Sequence, residues 1–207
     1  VVREGAQGSR RGVDRGTYPY VTSSNTRAGG AAIGAGIGPM AIDAVLGVVK
    51  AYTTRVGGGP LPTEMEGELG ERTRKLGNEF GATTGRPRRC GWFDAVVVRY
   101  ASRINGLTDL AVTKLDVLDT FDRIALCSGY EIDGQLHDEF PADLTALGHA
   151  KPKYEWLPGW QRSTADARKI EDLPKEARSY LDRMRELVDA PITYLSVGTR
   201  RDQIIGL

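Results

Sequence analysis

FDAVVVRYASRINGLTDLAVTKLD, residues 93–116, joins a helix pattern to a strand pattern across one glycine. Phe93, Val96, Val97, Tyr100, Ala101 and Ile104 recur at the spacing of one apolar helix face. Gly106 closes that helix. Leu107 to Val112 predicts a short strand, which ends in the polar run Thr113-Lys114-Leu115-Asp116. A helix that feeds a strand ending in polar residues is the unit of an α/β sheet.

The same alternation continues downstream. Ile124 to Ile132 predicts a strand, Asp133-Gly134 a hairpin turn, and Gln135 to Phe140 a segment that pairs back. Lys153 to Leu157 predicts a further short strand. Leu173 to Val188 reads as a helix: Pro174 suits its start, Ala177, Tyr180, Leu181, Met184 and Val188 share one face, and Pro191 stops it. Ile192 to Leu195 then gives a strand ending in Ser196-Val197-Gly198, and Ile204-Ile205 begins another.

Upstream, Val1-Val2 reads as a strand that runs into Gln7. Ala28 to Gly38, AGGAAIGAGIG, lacks the G-x-G-x-x-G spacing of a dinucleotide loop and reads as a close-packed turn. Pro39, Ile42, Val45, Leu46 and Val49 predict a helix that extends to Val56, where Gly57-Gly58-Gly59-Pro60 ends it. Leu61 to Leu76 is charged and reads as an exposed excursion. Its Glu64, Glu66, Glu68 and Glu71 fit a solvated face, with a metal-ligand set as the alternative.

Composition narrows the function classes. The 207 residues carry a net charge of +1 and are 40% apolar, enough for a sizeable core and too balanced for a bulk pull toward nucleic acid or a membrane. Cys90 and Cys127 form no CxxC pair, so a reduced, cytoplasmic setting is expected. The first residue is Val1, and the chain is read as part of a longer one.

Two stretches carry chemistry. GNEFGATTGRPRRCGW, residues 77–92, packs four glycines, two threonines and three arginines into sixteen positions. Arg86, Arg88 and Arg89 offer planar donor forks that match carboxylates and phosphates. The stretch suits a small anion, and a solvated basic turn is the alternative. In Thr113-Lys114-Leu115-Asp116, a carboxylate at Asp116 can accept from both N1–H and the 2-amino group of guanine, whereas adenine has neither donor there. The Lys114 stem can lie over a purine ring. Backbone N–H groups of Ser196-Val197-Gly198 could meet the guanine 6-oxygen. Gln7 could pair with an amide-like edge or be a plain loop glutamine. His137 and His149 read as surface residues and Cys90 as structural. Asp119 is expected to cap a turn or lie at the surface. Asp116 and Arg86 are expected to face one shared cavity.

Together EGAQG at 4–8, GTYPYVTSSNT at 16–26, KAYTTRVGGGPLPTE at 50–64, GNEFGATTGRPRR at 77–89, TKLDVLD at 113–119 and PGW at 158–160 resemble the adenylosuccinate synthetase family. The resemblance runs from about Arg3 to Leu207, as one domain over 1–207, and corresponds to the carboxy-terminal half of the family's chain. It implies an α/β fold: a mixed, largely parallel sheet with flanking helices, P-loop-NTPase-like but without the amino-terminal phosphate-loop half. The implied reaction joins IMP and L-aspartate at the expense of GTP, in AMP biosynthesis. Carried over, Gln7, Thr22 and Arg86 are IMP contacts, and Ala82, Thr83, Thr84, Gly85, Arg86, Pro87 and Arg88 form the loop over aspartate. Arg88, Lys114, Leu115, Asp116, Ser196, Val197 and Gly198 face GTP. The family's catalytic residues and the ligands of its Mg2+ lie in the other half, so this chain alone is expected to be inactive. The family also implies a homodimer whose partner lends an arginine to the IMP site. A non-catalytic guanine-nucleotide module and a degenerate fragment are the competing readings. The chain departs from the family at Arg10, Arg11 and Gly12, where two apolar residues and an acid are usual, at Arg15, where a histidine is expected, and at Pro87, within an often basic run.

Overall fold

The computed structural model describes residues 1–207. In chain order its elements are α1 (Ala28–Ala35), β1 (Leu46–Lys50), β2 (Thr53–Val56), α2 (Gly67–Leu76), β3 (Arg88–Gly91), β4 (Phe93–Asp94) and α3 (Ala95–Asn105). There follow β5 (Asp109–Thr113), β6 (Arg123–Ile132), β7 (Gln135–His137), α4 (Leu144–His149), β8 (Lys151–Pro158), α5 (Lys175–Leu187), β9 (Ile192–Ser196) and β10 (Ile204–Gly206).

The main sheet has the order β1-β5-β9-β10, with the first three strands parallel and β10 antiparallel. Its register sets Lys50 beside Thr113 and Val112 beside Leu195, so the carboxyl ends of β1, β5 and β9 share one rim. Val112, Leu195 and Ile205 line the inner face and are buried. On the opposite face Val48 and Tyr194 are exposed, and β1 is an edge strand with Leu46 also open to solvent. A second sheet is centred on β6, which pairs in parallel with β4 and antiparallel with β7 and β8. β2 and β3 form a separate antiparallel pair.

The helices at 95–105 and 175–187 form where their patterns place them. Asp94 caps α3 by accepting from the Val97 amide at 3.2 Å, and Gly106 ends it in the left-handed region at φ 61°. Its most buried residues are Ala95, Val96, Val98 and Ser102, displaced from the expected stripe because α3 touches two cores. Val98 joins the large one, built on Tyr52, Trp92, Phe121 and Tyr180, and Val96 the small one around Cys127, Tyr130 and Leu147. On α5, Ala177, Tyr180, Leu181 and Met184 are all buried, and the Tyr180 hydroxyl donates to the Ala51 carbonyl at 2.6 Å.

Four expectations are corrected. Val1-Val2 is exposed and forms no strand. Ala28–Ala35 is a helix, not a turn, and Gly30 lets it approach the Asn25 side chain, which a Cβ would meet at 2.9 Å. The helix expected over 39–56 is replaced by a three-residue 3-10 turn (Pro39–Ala41) and by β1 and β2. Within the supposed excursion 61–76, Thr63, Met65, Gly70 and Thr73 are buried and α2 forms, with Glu68 in its first turn and Arg74 and Lys75 in its last, each complementing the helix dipole.

Candidate functional site

The basic loop is the tip of a hairpin. Arg88 N–H donates to the Glu79 carbonyl at 2.9 Å, Phe80 and Pro87 form an antiparallel bridge, and Gly81 N–H donates to the Arg86 carbonyl at 2.8 Å. Gly85 takes φ 63° and returns its N–H to the Gly81 carbonyl at 2.8 Å. Ala82, Thr83, Thr84, Gly85, Arg86 and Pro87 are exposed around this turn, while Arg88 at its base is half-buried. The tip therefore offers hydroxyls and a guanidinium to solvent from a fixed root.

The root is held by a residue that sequence reasoning missed. Glu79 is fully buried. Its carboxylate accepts from Lys50 Nζ at 2.7 Å to both oxygens, from the Tyr52 hydroxyl at 2.5 Å and from Arg88 Nη1 at 2.7 Å. Lys114 Nζ lies 3.5 Å away and donates to the Gly77 carbonyl at 2.5 Å. Burial pushes the Glu79 pKa up, but the bonds from Lys50 and Tyr52 and the charges of Lys50 and Lys114 bring it below its ordinary value. The same burial lowers Lys50 against the pull of Glu79, and raises Tyr52. Lys50 ends β1 and Tyr52 lies in the bend before β2, and both side chains reach the same carboxylate.

Past the end of β5, Lys114 takes φ 60° and opens a 3-10 turn, Leu115–Leu118. This turn points Leu115 into the core, fully buried, so only its backbone reaches the rim. Asp116 faces a cleft of about 480 Å³ shared with Asp119, Thr120, Gln161, Arg162 and Ser163. Asp116 Oδ1 is buried and has no hydrogen-bond partner, and burial together with the charge of Asp119 raises its pKa. Asp119 caps that turn, its amide donating to the Asp116 carbonyl at 3.2 Å, and its carboxylate accepts from Trp160 Nε1 at 2.7 Å and from the Thr164 amide at 2.8 Å and hydroxyl at 2.9 Å. It fixes the wall of the cleft.

At the end of β9 the Ser196 hydroxyl donates to the Gly198 carbonyl at 2.7 Å, and the Val197 N–H is spent on the Gln203 carbonyl at 3.0 Å. Val197's side chain is buried, and the Gly198 amide has no backbone acceptor. A Cβ at Gly198 would meet Gln203 Oε1 at 2.2 Å.

Gln7 is exposed, at φ 60°, and accepts from the Ser24 hydroxyl at 3.2 Å. Thr22 is half-buried, with its amide bonded to the Arg11 carbonyl at 2.7 Å. No residue of the 81–87 tip lines the Asp116 cleft, so the shared cavity expected for Asp116 and Arg86 is not what joins them. The link is the contact chain Lys114, Glu79, Arg88. A second cleft of about 470 Å³, between the β6–β7 hairpin and α4, shares none of these residues. Cys90 sits beside the arginines, yet burial pushes its thiol up to about 11, in keeping with a structural role. No three His, Cys, Asp or Glu side chains converge as a metal ligand set would.

The family model described as adenylosuccinate synthetase matches residues 1–205. The adenylosuccinate synthetase of Carboxydothermus hydrogenoformans is 59% identical over 207 residues, covering 100% of this chain and 48% of its own length. That of a Picosynechococcus species is 57% identical over 205 residues, covering 99% of this chain and 46% of its own. Among solved structures, the fully ligated adenylosuccinate synthetase of Plasmodium falciparum superposes with a TM-score of 0.95 at 38% identity, over 99% of this chain and 49% of that one. The chain thus spans about half the length of the curated relatives it matches. A match along 205 consecutive residues, with the solved relative superposing over almost all of the chain, leaves one assignment: the chain belongs to the adenylosuccinate synthetase family.

Proposed function

We propose that this chain supplies the guanine side, the aspartate-closing loop and part of the IMP side of a GTP-dependent ligation that yields adenylosuccinate. In that reaction the γ-phosphoryl group of GTP passes to the 6-oxygen of IMP, and the aspartate amine then displaces it. The chain's own residues bind and orient. Asp116 accepts from the two donors on the guanine edge, with Lys114 over the ring and the Gly198 amide toward the 6-oxygen. Thr83, Thr84 and Arg86 close over the two carboxylates of aspartate, and Arg88 compensates charge on the nucleotide side. Gln7 and Thr22, with Arg86, meet IMP. Magnesium, when bound, neutralises phosphate charge; its ligands are assigned to the family's other half, and the 207 residues alone do not turn over. The working enzyme is a cytoplasmic homodimer.

The observation that carries this reading is the orphaned Asp116 Oδ1, a buried acceptor beside an open cleft. A buried carboxylate oxygen without a donor is costly, and a ligand with two adjacent N–H groups removes that cost. Calorimetric titration with GDP and with ADP tests it. GDP is expected to bind more tightly by at least roughly a hundredfold, since two bonds to a charged acceptor contribute about 1.5–3 kcal/mol each. Asp116→Asn, which presents a donor to the guanine donors, is expected to erase the preference. Equal affinity for the two nucleotides, or a preference that survives the substitution, would overturn the guanine assignment. Adenylosuccinate formed by the purified chain at an enzymic rate would overturn the division of labour.

A further inference from the structure

Glu79 joins three segments that are far apart in the chain. Lys50 comes from the end of β1, Lys114 from beyond β5, and Arg88 from the foot of the basic hairpin. We propose that Glu79 is a positioning residue that couples the guanine side of the site to the aspartate-closing loop, through the chain Lys114, Glu79, Arg88. The proposal rests on the preceding assignment of those two regions and adds a connection between them.

Three features support the coupling. Glu79 is paired with Arg88 through both backbone and side chain, so any shift of its carboxylate is felt where the loop leaves its root. Lys114 holds the same root at a second point, the Gly77 carbonyl. Its left-handed backbone, uncommon for a residue with a side chain, is the sort of geometry kept only where surrounding contacts fix it. Finally, Glu79 has no exposure to water. A carboxylate in that position is balanced only by its protein partners, so when one cation is drawn toward a ligand the others must take up its share. A guanine that engages the Lys114 stem and a dicarboxylate that draws in the loop would then both act on one buried charge.

Amide hydrogen exchange on the ligand-free 207-residue chain tests this without requiring nucleotide binding. Lys114→Met is expected to speed exchange at the Gly81, Gly85 and Arg88 amides by about tenfold, the range of side-chain-mediated coupling, while Leu126 in the core keeps its rate. Glu79→Gln is expected to do the same, and the double variant to be no faster than Glu79→Gln alone. In reverse, Arg88→Gln should speed exchange at Val117 and Asp119, whose amides close the turn after Lys114, and Arg88→Lys should restore it. Loop amides at wild-type rates in Lys114→Met, or effects of Lys114→Met and Glu79→Gln that simply add, would show that Glu79 only fills the core. Should Glu79→Gln fail to fold, the Lys114→Met and Arg88→Gln arms decide by themselves. A parallel titration with GDP separates the two readings: failure to bind removes the guanine assignment and leaves the exchange result to judge the coupling.

Discussion

Glu79 and Arg88 are paired twice, by an amide-to-carbonyl bond of 2.9 Å and a guanidinium-to-carboxylate bond of 2.7 Å. The loop that carries Thr83, Thr84 and Arg86 springs from this double tie. Glu79→Ala is expected to lower the unfolding free energy by about 3–5 kcal/mol, because it leaves Lys50, Arg88 and Lys114 gathered around no counter-charge and strands the Tyr52 hydroxyl. Urea unfolding followed by circular dichroism measures the loss. A change below 1 kcal/mol, on the order of an exposed ion pair, would contradict the buried-hub description.

The same carboxylate sets a pH dependence. Its pKa lies below the ordinary value of 4.5, with burial opposed and outweighed by the bonds and charges of its partners. A group depressed on folding contributes its full stabilisation above the unfolded value and loses it as pH falls through the folded one. The stability gap between the wild-type chain and Glu79→Gln should therefore be constant near neutrality and shrink as pH falls below 4.5. Denaturation curves at a series of pH values give the gap directly, and one that widened in acid would reverse the sign.

Arg10 is a charge in the wrong surroundings. Its guanidinium lies 3.8 Å over the Phe140 ring, and both Nε and Nη2 are buried without a bond. Burial pulls its pKa down to about 10, against Tyr130, Asp94 and Tyr100. The depressed value of a base means a penalty at every pH below about 10, so it is fully present at neutrality. Arg10→Leu, which replaces the buried charge by an apolar side chain, should raise stability by about 1–3 kcal/mol. Arg10→Ala should gain less, since it also removes the packing on Phe140. A higher urea midpoint for the leucine variant is the expected result.

Gly159 sits against backbone. A Cβ there would lie 1.8 Å from the Phe121 carbonyl oxygen, and the Gly159 amide donates to Asp122 at 2.8 Å. Gly159→Ala should cost about 1–3 kcal/mol of stability through overpacking. It should also disturb Trp160, whose Nε1 is bonded to Asp119 at the cleft. Tryptophan fluorescence alongside thermal unfolding detects both effects, and an unshifted midpoint would mean that the backbone yields freely.

The second half of the chain was more legible than the first, for a physical reason. β6 and α5 are long enough for their periods to be unambiguous, and Asp133-Gly134 marks the end of β6 and Pro174 the start of α5. Ile42, Val45, Leu46 and Val49 fit a helix spacing, but Leu46 and Val48 against Gly47 and Val49 fit a strand equally well, and pairing with β5 decides it. α1 was hidden because AGGAAIGA has no polar face, so it shows no amphipathic period, and its glycines argue against a helix. In the site, Asp116, Lys114 and the arginines announced themselves by type and motif. Glu79 did not: a single acid flanked by Asn78 and Phe80 has no local signal, and its partners at 50, 52, 88 and 114 meet only on folding.

The unpaired side of β1 has a consequence for handling the protein in solution. It presents a strand edge with no neighbouring strand next to Leu46 and Val48, a template onto which a second molecule can add its own backbone. Light scattering from the 207-residue chain should accordingly climb with concentration, and Val48→Lys should suppress it without altering the monomer's unfolding transition. If scattering stays flat, solvent alone satisfies that edge.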